Sequence, residues 1–164
     1  MCIAYLLIGG NIGNRPENLS EAVRLIGERA GRIRAVSGIF ETAPWGLAEQ
    51  DSFLNQAIAV DTELAAEALL QILLAIELDM GRRRQTKNGP RVIDIDILFY
   101  GNETISSKDL TIPHPLLAER RFALVPLCDL IPDFIHPVLK LKLSELLEIC
   151  PDTLPVSLFK DSGS

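Results

Sequence analysis

GPRVIDIDILFYG, residues 89–101, is a short apolar run rich in β-branched and aromatic residues, closed by Gly-Pro on one side and Gly-Asn on the other. That composition reads as a strand. Side chains alternate along a strand, so Ile93, Ile95, Ile97 and Phe99 share one face and Val92, Asp94, Asp96 and Leu98 the other. The two carboxylates therefore point the same way, with Cα atoms about 6.5–7 Å apart. Like charges that close raise each other's pKa unless something positive stands between them. The cation is either an ion from solution or an arginine of the chain.

Working outward, residues 65–80, AAEALLQILLAIELDM, form a helix stopped by Gly81, and a loop over 81–91 leads into the aspartate strand. Upstream, LNQAIAVDTE (54–63) and RIRAVSGIFE (32–41) alternate as strands on either side of the loop TAPWGLAEQDS. Leu19, Val23, Ile26 and Ala30 recur at helical spacing, which predicts a helix over 16–30, with Pro16 in its first turn and Gly31 at its end. Residues 2–8 read as a buried first strand, and Gly9, Gly10 and Gly13 mainly as formers of the turn after it, where the backbone could also pass close to a ligand. Downstream, Gly101-Asn102 is a turn and Thr111-Ile112 a brief strand. Residues 116–130 should be helical in pieces broken near Pro126 and Pro132, and 143–149 a short helix. The order βαββαβ followed by helices predicts an α/β (α+β) sandwich of ferredoxin-like kind with a mostly antiparallel sheet. No repeat or linker interrupts it, so one domain is expected over residues 1–160, with a tail at 161–164.

The 164 residues suit one domain with a genuine core, and 48% hydrophobic and 23% charged residues are ordinary for a globular chain. A net charge of −6 argues against a general nucleic-acid surface, though not against a local phosphate-binding patch. Cys2, Cys128 and Cys150 are far apart and odd in number, as expected of reduced thiols in a cytoplasmic setting. The apolar start MCIAYLLIGG is too short to span a bilayer and has no basic segment before it, so no membrane association is expected.

The loop before the aspartate strand holds Arg82, Arg83, Arg84, Lys87 and Arg91. Two readings are open: the arginines neutralise Asp94 and Asp96, or the loop and the acidic pair together bind a metal-bound polyphosphate. P-loop, dinucleotide, protein-kinase, nucleophile-elbow and HExxH signatures are all absent. A second cluster, Thr42, Trp45, Phe53 and Asn55, lies on or beside the loop TAPWGLAEQDS. Its aromatics either cover the edge of the core or, with Phe122, sandwich a flat heterocycle whose edge Asn55 could hydrogen-bond. Glu77 on the long helix would ordinarily be a solvent-facing charge, like Asp79 and Glu103. His136 reads as structural.

IGGNIGN near the start, ETAPWG, Phe53 with Asn55, Glu77 before GRRR, GPRVIDIDIL, LTIPHP and Arg120-Arg121-Phe122 occur in order over residues 3–135. Together they resemble the 6-hydroxymethyl-7,8-dihydropterin pyrophosphokinase family of folate biosynthesis. The resemblance implies a monomeric three-layer α-β-α sandwich that moves pyrophosphate from ATP to the pterin hydroxymethyl group and releases AMP. It implies that Asp94 and Asp96 hold two Mg²⁺ ions, Asp94 also facing the pterin, and that Arg82 and Arg91 are catalytic. ATP would meet Glu77, Arg82, Arg84, Lys87, Arg91, Ile97, Leu110, Thr111, His114 and Arg120. The pterin would meet Thr42, Ala43, Pro44, Trp45, Phe53, Asn55 and Phe122. Relatives often carry Arg-Trp before the Gly-Pro-Arg, where this chain has Lys87-Asn88 in a shorter loop. The rival readings are a catalytically inactive ferredoxin-like pterin- or nucleotide-binding module, and another phosphoryl or nucleotidyl transferase with the same metal pair. Within these 164 residues no second enzyme fused to this one is expected.

Overall fold

The structure is a computed structural model and describes residues 1–42, 52–81 and 92–160. Its central sheet is built on β1 (Cys2–Gly10), which lies between β4 (Phe53–Thr62) and β5 (Asp94–Tyr100), antiparallel to both. The far side of β4 is shared by two short strands, β2 (Arg32–Val36) and β3 (Phe40–Thr42), and β8 (Val156–Leu158) closes the outside of β3. A separate ribbon pairs β6 (Ile105–Ser106) with β7 (Thr111–Ile112). Helices α1 (Arg15–Arg29) and α2 (Ala66–Asp79) cover one face of the sheet; α3 (Arg121–Leu130) and α4 (Leu143–Glu148) cover the other. The predicted ferredoxin-like three-layer sandwich is the observed fold.

Helix α2 forms where Ala66, Leu69, Leu73 and Ile76 recur on one side, and all four are buried against the sheet. Each such leucine or isoleucine contributes about 1.5–3 kcal/mol by leaving water. Gly81 ends the helix in the left-handed region, at φ 98°. Gly31 ends α1 for a different reason. A Cβ there would lie 2.2 Å from the Asp61 carbonyl oxygen and 3.1 Å from the Thr62 Cα, so the helix can come this close to β4 only without a side chain.

Several boundaries differ from those read in the sequence. β1 continues through Gly9 and Gly10, so these two glycines are strand residues; only Gly13, at φ 71°, is a turn former. The strand expected over 32–41 is two strands. Between them the Ala57 N–H donates to Ser37 Oγ at 2.9 Å, and the Gly38 N–H turns away to Asp129 Oδ2 on α3 at 2.8 Å. Helix α3 is not broken at Pro126. That residue lies six positions into the helix, so the carbonyl it leaves without a partner is Phe122 in the first turn, and its ring is buried in the core.

Strand β5 does not alternate throughout. Its register with β1 runs from Gly9↔Asp94 to Leu6↔Ile97 and then shifts to Tyr5↔Phe99, leaving Leu98 as an extra residue. This bulge turns Phe99 to the α3/α4 face beside Leu98, not to the face of Ile93, Ile95 and Ile97. There Phe99 meets Phe134 at 4.7 Å and the edge of His136 at 5.4 Å between ring centroids. His136 is buried, as its structural reading requires, and its Nδ1 accepts the Val138 and Leu139 N–H groups at 3.2 and 3.1 Å.

Gly31→Ala should cost about 1–3 kcal/mol, the range for forcing extra atoms into a packed site, read as a lower urea midpoint at unchanged slope. Burial lowers the His136 pKa from its ordinary value of 6.5, and protonation would also remove its two accepted hydrogen bonds. Below about pH 6.5 the unfolded chain therefore takes up a proton that the folded chain resists, and stability falls as the pH drops. The urea midpoint should decline between about pH 7 and 5.5. The decline should be shallower in His136→Asn, whose Oδ1 can accept the same two N–H groups.

Candidate active site

On the α3/α4 face of the sheet, the inner ends of β1, β4 and β5 are apolar: Tyr5, Leu7, Ala57, Ala59 and Leu98 meet the helices. Toward the other end the same face becomes polar. Gly9 is paired with Asn55 on one side and Asp94 on the other, and Leu7 in the adjacent row with Ala57 and Asp96. Asn55, Asp94 and Asp96 therefore share one surface by strand parity alone. Beyond Asn55, Phe40 continues the row and Thr42 stands opposite Phe53.

Gly9 makes this row possible. A Cβ at Gly9 would fall 2.1 Å from Asn55 Oδ1 and 2.9 Å from the Leu54 carbonyl oxygen, so the amide of Asn55 lies across a backbone with no side chain of its own. Asn55 is 7% exposed and Thr42 3%. Thr42 Oγ1 is buried with no hydrogen-bond partner among the described residues. An unsatisfied buried hydroxyl is costly, and a polar ligand would relieve it.

Glu77 is not the solvent-facing charge that its helical position suggests. It is 3% exposed, and its Oε2 accepts the Ile95 N–H at 2.7 Å, between the two aspartates in sequence. The bond ties α2 to the outer edge of β5. Ile97 and Leu110 are also buried on the α1/α2 side, so each offers a ligand at that edge little side chain. Thr111 is exposed on β7, and a groove of about 260 Å³ opens beside Leu110, lined by Leu70, Gln71 and Lys108 among others.

Across the β5 edge, His114 donates its N–H to the Leu98 carbonyl at 3.1 Å, while its Nδ1 accepts the Leu116 N–H at 3.2 Å. The proton of the neutral ring is thereby left on Nε2. Burial lowers the His114 pKa; the nearby Asp96 carboxylate opposes this and the Arg120 guanidinium adds to it. His114, Asp96 and Arg120 are thus neighbours. Arg120 also lies over the Phe122 ring, 5.5 Å from its centroid, at the start of α3.

The sequence-derived residues thus fall into two groups. Thr42, Phe53, Asn55 and Phe122 belong to the face over β3, β4 and α3; Glu77, Ile97, Leu110, Thr111, His114 and Arg120 flank the free edge of β5. Asp94 and Asp96 stand between them. Ala43, Pro44, Trp45, Arg82, Arg84, Lys87 and Arg91 lie outside the described residues. The sequence marked Gly9 mainly as a turn former whose backbone could pass close to a ligand; its place inside a strand, and the approach of Asn55 to it, come from the fold.

Among the described residues no group of three or more His, Cys, Asp or Glu side chains is arranged to hold a metal. Two aspartates suit an ion that completes its coordination with phosphate oxygens and water, as Mg²⁺ does. The three cysteines are free, and among the described residues no helix is long and apolar enough to cross a membrane.

Comparison with known proteins agrees with this architecture. The crystal structure of Plasmodium falciparum HPPK-DHPS superposes with a TM-score of 0.73 over 90% of this chain and 43% of that one; at 20% identity the likeness concerns the fold. The folic acid synthesis protein FOL1 of Dictyostelium discoideum is 45% identical over 137 residues, and this chain spans 21% of its length. Two relatives of similar size are both called 2-amino-4-hydroxy-6-hydroxymethyldihydropteridine pyrophosphokinase. The protein of Methylorubrum extorquens is 45% identical over 82% of this chain and 86% of its own length, and that of Bacillus subtilis 41% identical over 78% and 77%. The model of the 7,8-dihydro-6-hydroxymethylpterin-pyrophosphokinase family matches residues 5–132, from the first strand to just past α3, and the chain belongs to that family.

Proposed function

We propose that the chain transfers the pyrophosphoryl group of ATP to 6-hydroxymethyl-7,8-dihydropterin, giving the pterin pyrophosphate and AMP in folate synthesis. The observation that carries the reading is the row Asn55–Gly9–Asp94, which sets an amide and a carboxylate on either side of a bare backbone on one sheet face. Family membership supplies the reaction, and the row supplies the border between two substrates. The inactive-module reading finds no support, since both aspartates are present on that face.

In this reading the pterin lies over Gly9, with its ring between Phe53 and Phe122, its amide edge on Asn55 and a polar atom on the Thr42 hydroxyl. The resemblance assigns Ala43, Pro44 and Trp45 to the same substrate. ATP lies along the free edge of β5, its base in the groove beside Leu110 and its phosphates toward Asp96, His114 and Arg120. His114 donates Nε2–H to a phosphate oxygen without adding charge. Arg82, Arg84, Lys87 and Arg91 take the remaining phosphate charge. Asp94 and Asp96 would hold two Mg²⁺ ions, which draw charge off the phosphate oxygens when ATP is bound.

The transfer forms a bond from the hydroxymethyl oxygen to the β-phosphorus. The bond from that phosphorus to the α–β bridging oxygen breaks, AMP leaves with the oxygen, and the hydroxyl proton passes to solvent. The residues of the chain contribute alignment and charge neutralisation. The enzyme works as a cytoplasmic monomer.

AMP release from ATP and Mg²⁺ should depend on the pterin and fall about 10²–10³-fold in Asp96→Asn, the range for removing one stabiliser of developing charge. ADP in place of AMP, or near-normal turnover in the variant, would overturn the assignment. Thr42→Val keeps the shape and removes the hydroxyl. It should raise the pterin KM about 2–10-fold, the worth of one hydrogen bond, and leave kcat nearly unchanged.

A further inference from the structure

Arg15, the first residue of α1, reaches across the end of the sheet on the face opposite the candidate pterin pocket. Its Nη1 donates to Glu41 Oε2 at 3.3 Å, to the Ser52 carbonyl at 2.8 Å and to Ser52 Oγ at 2.9 Å. Ser52 Oγ in turn donates to the same Glu41 oxygen, at 2.5 Å. The guanidinium also lies over the Phe159 ring, 5.6 Å from its centroid. Phe159 is itself fixed, for its N–H donates to the Ile39 carbonyl at 2.8 Å just after β8 has paired with β3.

The residues that Arg15 joins have particular neighbours. Glu41 directly precedes Thr42, and Ser52 directly precedes Phe53; Thr42 and Phe53 are opposite each other in the register. Alternation along both strands sends Glu41 and Ser52 to the α1 side and Thr42 and Phe53 to the pocket side. β3 is only three residues long, so its two ladders, to β4 and to β8, are short. One guanidinium bonded to both strands behind the pair fixes the separation of the two pocket groups in front.

We propose that Arg15 is a positioning residue for the pterin half of the site, acting through Glu41, Ser52 and the C-terminal Phe159. The proposal rests on the assignment of Thr42 and Phe53 to the pterin pocket. The side chain is only partly exposed, at 22%, so its bonds are shielded and do more than an open surface pair would. A lysine could keep the charge beside Glu41 and donate from one nitrogen as Nη1 does, but it would lose the flat stacking on Phe159.

The test is steady-state kinetics and pterin titration of the full chain as wild type, Arg15→Ala, Arg15→Lys and Phe159→Leu, with thermal unfolding of each. Arg15→Ala should raise the pterin KM and Kd about tenfold while the ATP KM changes less than about twofold. Arg15→Lys should recover only part of the loss. Phe159→Leu keeps an apolar contact and should shift the pterin constants in the same direction by less. Equal losses for both substrates, or losses that track the unfolding temperature across the set, would reduce Arg15 to a general stabilising role. Unchanged pterin constants in an active, folded Arg15→Ala would overturn the proposal. A wild type without pterin-dependent AMP release would instead remove the assignment on which it stands.

Discussion

The absence of a side chain at Gly9 is the constraint on which the site depends. β1 is the central strand of the ferredoxin-like core, hydrogen-bonded on both sides, and any residue on its α3-facing side has neighbours at the usual cross-strand distance. At Leu7 and Tyr5 those neighbours are apolar and the row closes into core. At Gly9 the space a side chain would occupy is taken by the Asn55 amide, and Asp94 stands across the same backbone. A polar floor is thus cut into the middle of a sheet with no irregularity in β1 itself.

The second requirement is met by the bulge at Leu98. In a regular strand Phe99 and Asp96 would point to opposite faces. Phe99 on the α3/α4 side would then send both carboxylates under α1 and α2, where burying charge is costly. The extra residue breaks that link. The aromatic contact of Phe99 with Tyr5 and Phe134 and the open position of the two aspartates occur on one face of one strand. Glu77, bonded to the Ile95 N–H, holds the intervening segment from the opposite side.

Much of this architecture was legible in the sequence, and the exceptions have physical causes. Helices α1 and α2 and strand β4 carry strong periodicity, and their limits agree with the structure within a residue. The face of Asp94 and Asp96 follows from alternation, and the family pattern named Thr42, Asn55 and His114. Bulges leave no periodic signature, so the reversal at Phe99 and the division of β2 from β3 at Ser37 could not be read. Pro126 suggested a break because the burial of its ring is a tertiary effect. Glu77 looked like a surface charge because its partner is a backbone group on another element. Arg15 had no pattern around it; its meaning comes from two strands and a ring that only the fold brings together.

The segment after residue 150 carries no motif in its sequence, yet it finishes the sheet. β8 pairs with β3, Asp152 accepts the Arg121 N–H at the start of α3, and Phe159 supports Arg15. The β3–β8 pairs, from Thr42↔Val156 to Phe40↔Leu158, join residues 114–118 positions apart, a long loop to close before any gain is returned. During synthesis β1, β4 and β5 are all made before β8, so they can pair while β3 still has an open outer edge. The wall bearing Thr42 is therefore completed late, after the floor of the candidate site beneath it.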